Sequence, residues 1–202
     1  NAVVFTLAAD GSLSTPTAGT SNVRFGVNAG NSITSGGNNN TVVGDEAGTA
    51  ITTGDANSFF GFEAGDALTT GIDNVALGFR SLSTDTTGRF SVAVGSGALQ
   101  NQAFTGNNEA HNVAVGYNAG NDITTGTHNS IIGGLAGDAL TTGIENVAVG
   151  KSALSSDTKG SDSVAIGHQA LFTQNFTTAT STYNVAVGKN AGVLITTGIR
   201  NT

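Results

Sequence analysis

A short motif of the form Asn-Val-Ala-Val-Gly returns along almost the whole chain, and its spacing limits the possible folds more than any other feature. Its glycine stands at Gly26, Gly44, Gly61, Gly78, Gly95, Gly116, Gly133, Gly150, Gly167 and Gly188. Most successive glycines are one short, 17-residue step apart, and the steps from Gly95 and from Gly167 are longer by four. Three short steps and one long one make a second, longer period, which superimposes 44–115 on 116–187. Gly65–Asn74 and Gly137–Asn146 then differ only at Asp73, which becomes Glu145. A 17-residue unit is too short for a helix pair and suits one coil of a parallel β-solenoid with two or three short strands. A helical reading fails because Gly and Thr-Thr pairs interrupt every candidate and no 3.6-residue periodicity survives. The expected fold is therefore all-β, a solenoid of about ten coils and about 45–50 Å in height. Residues 22–202 form this repeat region, and residues 1–21 a lead-in strand and turn.

Each unit has a physical reading. The residue before the motif glycine is a β-former or large aliphatic: Phe25, Val43, Phe60, Leu77, Val94, Val115, Ile132, Val149, Ile166 and Val187. This column is expected to fill the lumen. Three places after the glycine stands Ala, or once Ser81, where a tight turn needs a small residue. A second glycine follows in most units as Thr-Thr-Gly, a turn signal with a residue free to take positive φ. Asn or Ser then introduces the next strand, as at Asn57, Asn74, Ser91, Asn112, Asn129, Asn146, Ser163 and Asn184, and stacked asparagines can hydrogen-bond along a ladder. Where Gly follows the small residue (Gly48, Gly65, Gly120, Gly137, Gly192), Ile or Leu appears three places on (Ile51, Leu68, Ile123, Leu140, Ile195). Where Leu takes that place (Leu82, Leu154), the later position is Asp85 or Asp157. Two stations that reach one slot explain the exchange; two unrelated turn types are the alternative.

The middle residue of each strand should then point away from the lumen, because side chains alternate across a strand. It is not polar: Val42, Phe59, Ala76, Ala93, Ala114, Ile131, Ala148, Ala165 and Ala186, with Arg24 the exception. A strand apolar on both faces is normally covered on both. The expectation is a homotrimer with Phe59, Ala76, Ala93, Ala114, Ile131, Ala148, Ala165 and Ala186 in the protomer interface. A monomeric solenoid with a mildly apolar flank is the plainer alternative.

The coil resembles the repeats of bacteriophage tail fibres, especially those of marine and cyanobacterial phages. Its features are Asn-x-Ala-x-Gly-x-x-Ala-(Gly/Leu) followed by Thr-Thr-Gly. The Val-Ala-Ile-Gly run in Ser163–Gly167 is also similar to the head repeats of trimeric autotransporter adhesins, whose coils are shorter. Phe5–Leu13 looks like the strand and turn that precede repeat regions in phage fibres. The resemblance implies a trimer, an elongated virion appendage, contacts with other tail or fibre proteins, and host-surface attachment. A bacterial surface adhesin head is the alternative, and the chain is expected to be a piece of a longer fibre.

Composition fits a structural role. The net charge of −7 and the absence of any basic cluster weigh against nucleic acid and anionic membrane as partners. No apolar run reaches membrane-spanning length. The chain has no Cys, so no thiol chemistry and no disulfide framework. His111, His128 and His168 carry no catalytic motif, and the acids recur at equivalent positions (Asp66 with Asp138, Asp73 with Glu145, Asp85 with Asp157), which reads as turn or surface chemistry rather than half of an active site. The calcium-binding nonapeptide of other β-rolls is absent. No enzyme, cofactor or metal is expected. An ice-binding solenoid, suggested by the Thr-Thr pairs, and a polysaccharide depolymerase are weaker readings. Any ligand, such as a host-surface glycan, is expected on the loops of the two long coils, at Asn107, Asn108, Glu109 and His111 and at Thr180 and Tyr183. The matched Phe104 and Phe176 in those loops are expected to pack inward.

Overall fold

The computed structural model describes residues 6–7, 13–14, 18–106 and 108–202. Among these there is no helix, and the repeat region is a stack of coils joined by one parallel sheet. Two short strands, β1 (Thr6–Leu7) and β2 (Leu13–Ser14), pair antiparallel ahead of it. The sheet then contains β3 (Val23–Phe25), β4 (Thr41–Val43), β5 (Ser58–Phe60), β6 (Val75–Leu77) and β7 (Val92–Val94). It continues with β8 (Val113–Val115), β9 (Ser130–Ile132) and β10 (Val147–Val149). The chain next forms β11 (Gly160–Ser161), which lies beside the sheet, and returns to it with β12 (Val164–Ile166). It leaves again at β13 (Thr180–Ser181), which pairs with β11, and ends the sheet at β14 (Val185–Val187). Every repeat strand pairs in register with the equivalent strand of the next coil, as Ala76 does with Ala93 and Ala93 with Ala114.

Most coils thus have one strand, not the expected two or three. The remaining backbone is too strongly curved for extended structure. Several positions in a coil adopt the left-handed conformation, for example Glu63, Gly65 and Asp73. These turns still bond from coil to coil, as in Gly48 N to Ala64 O at 2.9 Å and Thr52 N to Thr69 O at 2.9 Å. The motif glycines form a column with φ between 127° and 138°. A Cβ at Gly61 would lie 2.6 Å from the Gly78 carbonyl oxygen, so both conformation and space demand glycine there. The glycine of Thr-Thr-Gly departs from expectation. Gly54, Gly71, Gly126 and Gly143 do not have positive φ; they are glycine because a Cβ would collide with the next coil's glycine carbonyl at 2.2–2.5 Å.

The strand residues point the opposite way from the sequence reading. Val42, Phe59, Ala76, Ala93, Ala114, Ile131, Ala148 and Ala165 are completely buried in the lumen, and Ala186 is nearly so. They cannot form a protomer interface. Val43, Phe60, Leu77, Val94, Val115, Ile132, Val149, Ile166 and Val187 are on the outside, Leu77 at 45% and Val187 at 66% exposure. The cause is volume. The lumen of a 17-residue coil already holds the Ala three places after the glycine and an Ile or Leu, so the strand contributes mostly alanine. Larger strand residues enter only where the next station is glycine: a Cβ on Gly65 would be 2.4 Å from the Phe59 ring, and one on Gly137 3.1 Å from Ile131. Where Leu82, Leu99, Leu154 and Leu171 take that station, the strand residue is Ala76, Ala93, Ala148 and Ala165. The two aliphatic stations do share one lumen, since Ile51, Leu68, Ile123 and Leu140 are as fully buried as the four leucines.

Candidate interaction surfaces

Corner asparagines hold the coils together from inside. Asn57 donates Nδ2 to Asn40 Oδ1 at 3.1 Å and to the Gly71 carbonyl at 2.9 Å, while its backbone N–H also reaches Asn40 Oδ1 at 3.0 Å. The pattern repeats at Asn74, Asn129 and Asn146, all fully buried. Ser91 and Ser163 interrupt this column once in each long period. There Gln102 bridges the gap: Nε2 donates to Ser91 Oγ at 2.9 Å and Asp85 Oδ2 at 2.6 Å, and Oε1 accepts from Asn112 at 3.0 Å. Asp85 Oδ1 accepts from Gly88 N at 3.0 Å and Phe104 N at 3.2 Å. Asp157, Gln174, Ser163 and Asn184 repeat the arrangement. Asp85 and Asp157 are therefore not surface residues: each carboxyl group lies inside the lumen with both oxygens hydrogen-bonded, and each also holds its own turn through the amide three places on. At the other end Arg24 takes the lumen position of β3 and donates Nε to the Ala29 carbonyl at 2.6 Å; partial burial lowers its pKa.

The long coils do not simply leave the stack. The added residues fold back onto the preceding coil, where Thr180 and Ser181 pair with Gly160 and Ser161, and Glu109 bridges to Arg89. Phe104 and Phe176 are buried beneath them, as expected. Asn108, Glu109, His111 and Tyr183 are exposed and Thr180 is half-buried; Asn107 lies outside the described residues. Being four rungs apart, the two groups are separated by about 19 Å along the rod and form two spots, not one site.

Columns of equivalent residues produce features that reading single motifs misses. His111 stacks between Phe90 and His128, with ring centroids 5.1 and 5.0 Å away, and its Nε2 is 3.4 Å from Glu109. Phe62 stacks on Phe79 at 5.7 Å, and Arg80 lies over the Phe79 ring while pairing with Glu63. Both groups run along the rod, joining rings of successive coils. Phe62 and Phe79, like His111 and His128, stand one coil apart in the sequence, and that spacing was the available signal. Asp66 and Asp138 each keep one buried carboxylate oxygen without a hydrogen-bond partner, and burial raises the pKa of both. Among the described residues no three His, Asp or Glu side chains group to hold a metal, and no helix is long and apolar enough to cross a membrane.

Comparisons with protein-family models, with curated proteins and with solved structures find no match for this chain.

Proposed function

We propose that the chain is a non-catalytic structural segment of a homotrimeric attachment fibre, in a virion tail or, as the alternative, in a bacterial surface adhesin head. The observation that carries this reading is the unbroken coil-to-coil bonding, with a buried asparagine ladder under a ten-strand parallel sheet. Such a lattice resists bending and sets a fixed length, which is what a spacer between an anchor and a target requires. The resemblance of the Val-Ala-Val-Gly coils to fibre repeats supplies the biological setting. The acids suit this role better than hydrolysis: Asp85 and Asp157 are fully occupied by structural donors, and Asp66 and Asp138 occupy one repeated position in separate coils. The ice-binding reading is weakened because the first threonines of the pairs spend their hydroxyls on the next coil, as Thr69 does on the Thr86 carbonyl at 2.8 Å. Negative-stain microscopy of virions or cells labelled with an antibody against this segment tests the proposal. Label along projecting fibres is expected; label confined to the cell interior would overturn it.

A further inference from the structure

The side chains that leave the lumen from the strands create one long surface on which no charge falls. Ten strands offer two outward positions each, and seventeen of these twenty are Val, Ile, Leu or Phe; the others are Thr41, Ser58 and Ser130. All the acidic and basic residues of a chain with net charge −7 lie elsewhere, apart from inward-placed Arg24. Phe60, Leu77, Ile132 and Ile166 are each 37–45% exposed, and the Phe62–Phe79 stack borders them. A contiguous apolar patch of a few hundred Å² is often functional.

We propose that this face is the contact between copies of this chain, packed side by side along the rod. The inference deepens the fibre reading, on which it rests for its setting, by naming the partner and the surface. Three features select a second copy as occupant. A partner must present apolar groups at the rung spacing of about 4.8 Å over about 45 Å, and another rod of this chain has that pitch. Short and long coils alike return to the same in-register strand, so the long coils do not disturb the match. The described part of their added residues pairs with the preceding coil outside this sheet, at β11–β13 and Arg89–Glu109. Acidic copies can also meet here without opposing like charges. The strip projects on the order of 450 Å² per copy. Phe62, Phe79 and Tyr117 add apolar area in the bordering column, where exposed Asp45, Lys151 and Lys189 supply a charged rim.

The test uses the full chain, which has no cysteine of its own. Sedimentation equilibrium is expected to give an oligomer for the wild type and one chain's mass for the double variant Val94→Asp/Val149→Asp, with an unchanged circular dichroism spectrum. A single Val149→Cys substitution is expected to give interchain disulfides on mild oxidation, and Thr125→Cys, exposed on another side, none. An oligomer that survives both aspartates, or that cross-links through Cys at 125 and not at 149, overturns this face while leaving the fibre reading intact. A monomeric wild type overturns the proposed contact as well as the trimer. Fibre labelling on the virion or cell decides the setting separately.

Discussion

Asp85 is completely buried, yet every contact to its carboxylate comes from a donor: Gln102 Nε2 and the Thr87, Gly88 and Phe104 amides. An amide in its place must turn its NH2 towards one of those donors. Asp85→Asn is therefore expected to cost about 1–3 kcal/mol in urea unfolding, and Asp157→Asn the same. Exposed Asp73→Asn serves as control, with a change within about 0.5 kcal/mol. Asp66 and Asp138 behave in the opposite sense, because burial raises their folded-state pKa and each has an unpartnered oxygen. A raised carboxyl pKa means that the associated stability is fully present below the ordinary value near 3.8 and is lost as pH rises through the raised value. Asp66→Asn/Asp138→Asn is expected to raise the melting temperature near neutral pH and to leave it almost unchanged at about pH 3.5. Melting curves recorded across that range check the sign, and a variant less stable at neutral pH would contradict the role given to burial.

Within a coil, the strand residue and the station four places after the glycine divide one volume. Phe59 faces Gly65 and Ile131 faces Gly137, whereas Ala76 and Ala148 accompany Leu82 and Leu154. Gly65→Leu alone should destabilise the rod by about 3 kcal/mol or more, through overpacking and left-handed backbone strain. Phe59→Ala alone should cost about 3–5 kcal/mol. The two together are expected to lose less than their sum, with a coupling above about 1 kcal/mol in a double-mutant cycle; strict additivity would show that they do not share a slot. The same pairing shows what the sequence could reveal. Coil length, coil number, the asparagine ladder and the exchange of aliphatic stations are matters of spacing and are read directly from the motif. Strand direction is not, because alternation identifies the inner face only when the two faces differ in polarity, and in Val-Ala-Val they differ only in size. The covariation of Phe59 and Ile131 with glycine, and of Ala76 and Ala148 with leucine, nevertheless marked the middle residue as internal. The site was less legible. The long coils were located by their longer glycine-to-glycine steps, but the return of Thr180 and Ser181 to pair with Gly160 and Ser161 depends on backbone hydrogen bonds that no side-chain pattern encodes.

At the scale of the rod, stability is a sum of coils and nearest-neighbour contacts, so the two periods predict two different deletions. Removing Gly116 to Ile132 takes out one short coil and restores the sheet register by joining Val115 to Gly133. Ala114 then meets Gly137 and Leu140 in place of Gly120 and Ile123, so Leu replaces Ile in that coil's lumen, a swap expected to cost less than about 1.5 kcal/mol. Removing residues 44–115 takes out four times as much sheet but joins Val43 to Gly116 in the same phase of the long period. Val42 then meets Gly120 and Ile123 in place of Gly48 and Ile51, the same residue types at the same stations, and Asn40 meets Asn129 in place of Asn57. The new contacts keep the same stations, with Ile131 and Ile132 in place of Phe59 and Phe60 beside Val42 and Val43. The larger deletion is therefore expected to give a folded rod shorter by four rungs, about 19 Å, by small-angle scattering. Its transition should be at least as cooperative as that of the single-coil deletion. Removing residues 44–107 instead leaves the joined coil too long by the segment 108–115, breaks register and should yield insoluble protein. If the long-period deletion were the more damaging of the two in-register variants, the long period would have to be a record of duplication with no bearing on lumen packing.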